Sequence, residues 1–225
     1  MNQNKLLSLL QLSSPSLPIG AYTYSQGLES AIDRGTVKDE DTAREWIIDS
    51  LRIVSDFEAP ILLRLMKAYE ARDAETVINW GECFIAARDT SELRAETVQM
   101  GFSLGNLLTD LKLLDESLLK ILTAQTDLSL PSAFACATVA LSIPHEEALR
   151  GMLFSMIENQ VLVCVKSVPL GQRAGQHLLF SLHAAIENAA LQAESLGDDE
   201  LTNWAPGLSL LSMQHEVQYS RIYRS

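Results

Sequence analysis

Apolar residues recur along this chain at every third or fourth position, the period of one face of an α-helix. Leu6, Leu7, Leu9, Leu10 and Leu12 predict a short first helix, stopped by the prolines and glycine of SSPSLPIG. A second short helix is expected from about Tyr22 to Asp33, ended by Gly35. Asp39 or Asp41 begins a third, where acidic residues suit the positive end of the helix dipole and Trp46, Ile47, Leu51 and Val54 follow at helical spacing. Pro60 falls at a further helix start.

The stretches ILLRLMKAYEARD, AETVINWGECFIAARD and SELRAETVQMGFSLGNLLTDL continue the period as amphipathic helices. PSAFACATVALSI is small and nearly uncharged, the pattern of a helix surrounded by others. PHEEALRGMLFSMIENQVLVCVKSV starts with Pro144 in a favourable first-turn position, and these two are expected to form a central helix pair. PLGQRAGQ interrupts before HLLFSLHAAIENAALQAES runs on to Gly197. With no internal repeat, low-complexity linker or long charge run, residues 1–225 read as one all-α domain, a bundle of roughly eight to ten helices.

Composition agrees: Leu and Ala dominate, aromatics make up only 6%, and 47% hydrophobic content is enough for a packed core. A formal net charge of -12 without any Lys/Arg cluster argues against nucleic acid as a partner, because phosphate neutralisation needs concentrated positive charge. Cys83, Cys136 and Cys164 are odd in number and set among apolar neighbours, as expected of buried reduced thiols in a cytoplasmic protein. The start, MNQNKLLSLLQLSS, suits an amphipathic helix better than a signal peptide, and no run of about 18 apolar residues suggests a membrane span.

Three catalytic patterns fail on context. GFSLG matches the G-x-S-x-G nucleophile elbow, yet it lies in a helical period without a preceding strand, so Ser103 belongs where small residues let helices approach. HEEAL has Leu149 where a zinc motif needs its second histidine, and His177 and His183 fall on different helix faces, so neither a metal nor a cofactor is expected. Lys166-Ser167 lacks the upstream glycines of a phosphate loop. An enzyme reading, a helical hydrolase using Ser103 with His145 or His177 as base, is the alternative to a binding protein.

SLPIGAYTYSQGLES and QHEVQYSRIYRS mix aromatic and polar residues without a clean amphipathic stripe. Tyr22 and Tyr24 fit core packing and interface contact equally. Arg221 and Arg224 outweigh Glu216, so the last stretch is slightly cationic on an acidic chain, and Tyr and Arg are favoured at binding hot spots.

The blocks LLSLLQLSSPSLPIGAYTYSQGLESAI, VKSVPLGQRAGQ and MQHEVQYSRIYRS, with the helical pattern between them, resemble the urease accessory protein UreF family over the whole chain. The resemblance implies an all-helical, dimeric cytoplasmic protein without catalytic activity, acting in nickel insertion into urease. It would bind the accessory protein UreD, called UreH in some organisms, and with it recruit or regulate the GTPase UreG at the urease apoprotein UreABC.

The family's C-terminal motif falls on Gln214, His215, Glu216, Gln218, Tyr219, Ser220, Arg221, Arg224 and Ser225, a partner-docking tail at about 214–225 expected to order against UreD. The first block places Pro18, Gly20, Ser25, Gly27, Leu28 and Glu29 on the family pattern, with Tyr24 beside them. Lys166, Pro169, Gly171 and Gln172 would face the GTPase. Ser13 and Ser14 stand where many members carry an aspartate, and Ile222-Tyr223 varies a Leu-Phe pair.

Overall fold

The fold is built from helices that bury apolar surface against one another, and several of them begin on a side-chain cap. A computed structural model describes residues 3–168 and 170–225. In chain order these form α1 (Gln3–Leu12), α2 (Leu28–Asp33), α3 (Glu40–Asp56), α4 (Glu58–Glu70), α5 (Ala74–Ala86) and α6 (Ser91–Asp110). They continue as α7 (Glu116–Thr123), α8 (Leu130–Ala140), α9 (His145–Ser167), α10 (Gln172–Ser181), α11 (His183–Ser195) and α12 (Pro206–His215). Short 3-10 turns lie at Ala21–Thr23 and Asp198–Glu200, and the described residues contain no strand. The all-α bundle expected from the periodicity is what the chain forms.

Caps decide where several helices start. Asp39, rather than Asp41, opens α3: its carboxylate accepts the Thr42 N–H at 2.9 Å, and the Thr42 hydroxyl accepts the Asp39 N–H in return. Asp73, Thr90, Asp115 and Ser129 cap α5, α6, α7 and α8, each side-chain oxygen accepting a main-chain N–H of the first turn. Each cap satisfies a main-chain donor that the first helical turn leaves without a partner.

Helix α8 is enclosed almost completely, with Ala133, Phe134, Ala135, Cys136 and Ala137 all buried. The expected pairing of α8 with α9 is replaced by a different arrangement: α4 packs against both, α6 covers α8, and α9 packs against α3, α10 and α11. Gly101 explains the close approach beside α8. A Cβ added there would lie 2.1 Å from the Leu128 carbonyl oxygen, so only glycine lets α6 meet that segment. The small residues of GFSLG therefore serve packing.

Three expectations are revised. The helix predicted over Tyr22–Asp33 is split into a 3-10 turn and α2, because Gly20, Gln26 and Gly27 adopt positive φ of 80°, 54° and 79°. HLLFSLHAAIENAALQAES is broken at Leu182, where the Ser181 hydroxyl bonds back to the Leu178 carbonyl and Leu182 is itself buried. Cys83 is exposed, whereas Cys136 and Cys164 are buried. Helix α9 is the one described helix long and apolar enough to cross a membrane, and half of its most apolar stretch is buried inside the bundle.

Candidate functional site

The C-terminal segment is not a loose end. After α12 the chain turns back over the entry to α2 and the start of α6, and side chains from all three places lock it down. Glu29, in the first turn of α2, is the centre of the lock. Its carboxylate accepts the main-chain N–H of Ile222 at 2.7 Å and of Tyr223 at 3.0 Å. The same group lies 2.9 Å from His215 Nε2, while Nδ1 on the opposite side of the ring lies 2.8 Å from Glu92.

His215 is fully buried, and its carboxylate partners have side chains 8% and 11% exposed. Each ring nitrogen of His215 thus faces a different carboxyl group within hydrogen-bond distance, which seats the ring between Glu29 and Glu92. Because Glu29 and Glu92 sit on different ring nitrogens, no single ion could bridge all three groups. Among the described residues, no group of three or more His, Cys, Asp or Glu side chains could hold a metal ion.

The end of the segment has a second anchor. Ser225 is buried, its hydroxyl donates to Glu96 at 2.7 Å, and its main-chain oxygen accepts from the Ser25 N–H at 2.8 Å and from the Ser25 hydroxyl. The Arg224 N–H donates to the Thr23 carbonyl at 2.8 Å. Glu96 also accepts from Gln26 Nε2 at 2.7 Å, and burial pushes its carboxyl up to about 7. Thr90 shares its capping hydroxyl with Ser212 on α12, and Ser91 donates to Glu216.

With the backbone held, the side chains divide. Tyr223 turns inward and is 5% exposed, beside Cys164 and Ser167 at the end of α9. Val217, Tyr219 and Ile222 turn outward at 84%, 103% and 73% exposure. Arg221 is half exposed and bonds Glu92 at 3.0 Å; Arg224 and Ser220 are exposed, Gln214 is half-buried, and half-buried Gln218 accepts from Ser30. Large apolar side chains so fully in water, on a rigid backbone, form a surface suited to another macromolecule.

The structure thus joins the first and last blocks of the sequence into one site. It also moves some expected contact residues inward: His215, Glu29 and Tyr24 are buried in this chain, and the Tyr24 carbonyl accepts from Asn159 at 3.0 Å. Instead of waiting for a partner to order it, the segment is already docked on its own chain. Thr90, Glu92 and Glu96, which complete the lock, are not apparent from the sequence; the only hint is the four-residue spacing that puts Glu92 and Glu96 on one face of α6.

The second predicted face lies at the junction of α9 and α10. Lys166, Gly171 and Gln172 are exposed there, and Pro169 lies outside the described residues. Gly175 brings α10 close to α9, since a Cβ at that position would fall 2.5 Å from Val165 Cγ2. Ser103 sits within α6 and donates to the Gln99 carbonyl at 2.8 Å, with no histidine bonded to it.

These features define a class: an all-helical protein whose C-terminal segment is clasped onto its body with an aromatic and aliphatic surface outward. The UreF family profile matches residues 37–183. The chain is 67% identical over 220 residues to the urease accessory protein UreF of Nitrosospira multiformis, covering 98% of this chain and 97% of that protein. It is 66% identical to the urease accessory protein UreF of a Janthinobacterium strain, with 100% of both chains covered, and 47% identical to that of an Azoarcus strain, covering 98% and 95%. The chain belongs to the UreF family.

Proposed function

We propose that this chain is a non-catalytic scaffold for urease maturation. It binds UreD (UreH in some organisms) through the clasped segment and with it recruits the GTPase UreG, so that nickel is delivered to the apo-urease UreABC. In this reading it works in the cytoplasm as a homodimer, as the family resemblance implies, with residues 1–225 acting as one domain. Lys166, Gly171, Gln172 and Pro169 are assigned to the GTPase face on the same basis.

Membership of the UreF family supports the role in urease maturation. The observation that carries the docking assignment is the division of labour along residues 214–225. His215, Tyr223 and Ser225 are spent on holding the backbone, leaving Val217, Tyr219, Ile222 and the guanidiniums of Arg221 and Arg224 to be presented. A segment ordered before contact loses less conformational entropy on binding, which raises affinity without any added contact. His215 and Glu29 then act through the shape of the segment.

The test is co-purification of the full chain, and of a chain ending at Met213, with UreD and with UreD plus UreG, sized by light scattering. Circular dichroism of the shortened chain checks that its helices persist. Assembly by the full chain alone is the expected result. Equal assembly by both would place the contact elsewhere, with residues 16–30 the next segment to test.

A further inference from the structure

A cleft separate from the exposed face of the clasp contains a guanidinium with no partner on its binding edge. Its walls come from α1, the 19–26 turn, α3 to α6, α8, α9 and α12, with Phe84, Met100, Phe134 and Met156 among the lining residues and a cavity of about 110 Å³. Arg88 follows α5 and also lines it; its side chain is only 8% exposed. Nη1 donates to Glu58 at 2.6 Å, and the guanidinium carbon lies 4.2 Å from the ring centroid of Phe84 and 5.9 Å from that of Phe57. The remaining donors on the side-on edge, Nε and Nη2, are buried and have no partner among the described residues.

Those two N–H groups are parallel and spaced to meet both oxygens of one carboxylate, the bidentate geometry that lysine cannot reproduce. Ring stacking and the Glu58 bond hold the fork in orientation before anything arrives. Buried donors of a charged group without acceptors carry a desolvation penalty that a carboxylate would relieve. Gln160 Oε1, also buried and unpartnered, lines the same cleft.

Charge limits the choice. Glu58 already pairs with Arg88, Asp89 accepts from Ser209 at 2.6 Å, and Glu96 accepts from Gln26 and Ser225. A second negative charge, as on a phosphate dianion or a diacid, would meet these carboxylates at short range. The volume is below the roughly 150 Å³ that holds a benzene ring in an engineered apolar cavity, which favours a short chain.

We infer that this cleft binds a small free monocarboxylate with a short aliphatic body, its oxygens on Arg88 Nε and Nη2 and its chain among Phe84, Met100 and Met156. This site goes beyond the scaffold reading and does not depend on it. Sodium butyrate titrated into the full chain, followed by saturation-transfer NMR and melting temperature against equal sodium chloride, tests it. The expected result is saturable binding with a raised melting temperature, weakened about tenfold or more in Arg88→Lys. Met156→Phe, which keeps the guanidinium and adds bulk to the lining, weakens it as well.

Inorganic phosphate gives no saturable response. The inference is overturned if butyrate acts no differently from chloride, or if folded Arg88→Lys and Met156→Phe both bind it as the parent does. It is equally overturned if acetyl-glutamate amide binds and butyrate does not, which would assign the fork to a protein side chain.

Discussion

The imidazole of His215 and the carboxylate of Glu29 are 186 positions apart in sequence and 2.9 Å apart in space. Glu29 also takes the Ile222 and Tyr223 amides, so one side chain fixes the path of the segment at these two residues. Removing one partner of a buried hydrogen-bonded pair leaves the other unsatisfied and costs about 1–3 kcal/mol. Glu29→Gln therefore loosens the segment around Ile222 and Tyr223 while the helices persist. Hydrogen exchange measures this: protection at Ile222 and Tyr223 falls by about a hundredfold, in keeping with local opening. Unchanged protection there would count against the lock.

The Glu96 carboxyl, raised to about 7 by burial, links the clasp to pH. In the unfolded chain this group titrates near 4.5, so the folded state binds the proton more tightly. The stabilisation is full below about 4.5 and is lost as pH rises through about 7, at up to roughly 1.4 kcal/mol per pH unit. Glu96→Gln mimics the protonated form, and its stability relative to the parent is expected to rise between pH 5 and 7. Parallel stability curves across that window, from urea unfolding, would refute the assignment.

Gly101 and Ser103 separate packing from chemistry within GFSLG. Gly101→Ala sets a methyl against the Leu128 carbonyl and costs about 1–3 kcal/mol or more, because a main-chain atom has to move. Ser103→Ala removes one hydrogen bond to the Gln99 carbonyl on a partly exposed helix face and stays within about 0.5 kcal/mol. Thermal unfolding of both variants decides it; a costly Ser103→Ala with a silent Gly101→Ala would invert the reading.

How legible this was depends on the range of the interaction. Asp39 as a cap, Gly35 as a terminator and the enclosed α8 follow from local chemistry and periodicity, and the helical class with them. The break at Leu182 carries no proline or glycine, so a serine hydroxyl and a buried leucine end α10 without a visible signal. Glu29, Glu92 and His215 each read as surface residues alone. Only the tertiary path that brings α2, α6 and α12 together turns them into a buried triad.

The exposed side chains of the segment carry the central claim, and they can be changed without touching its anchors. The decisive measurement is UreD binding by a Tyr219→Ala, Ile222→Asp variant, read by light scattering of the co-purified complex. Both side chains point into solvent, so the melting temperature should match the parent while complex formation is lost. A variant that assembles with UreD as the parent does would contradict the account.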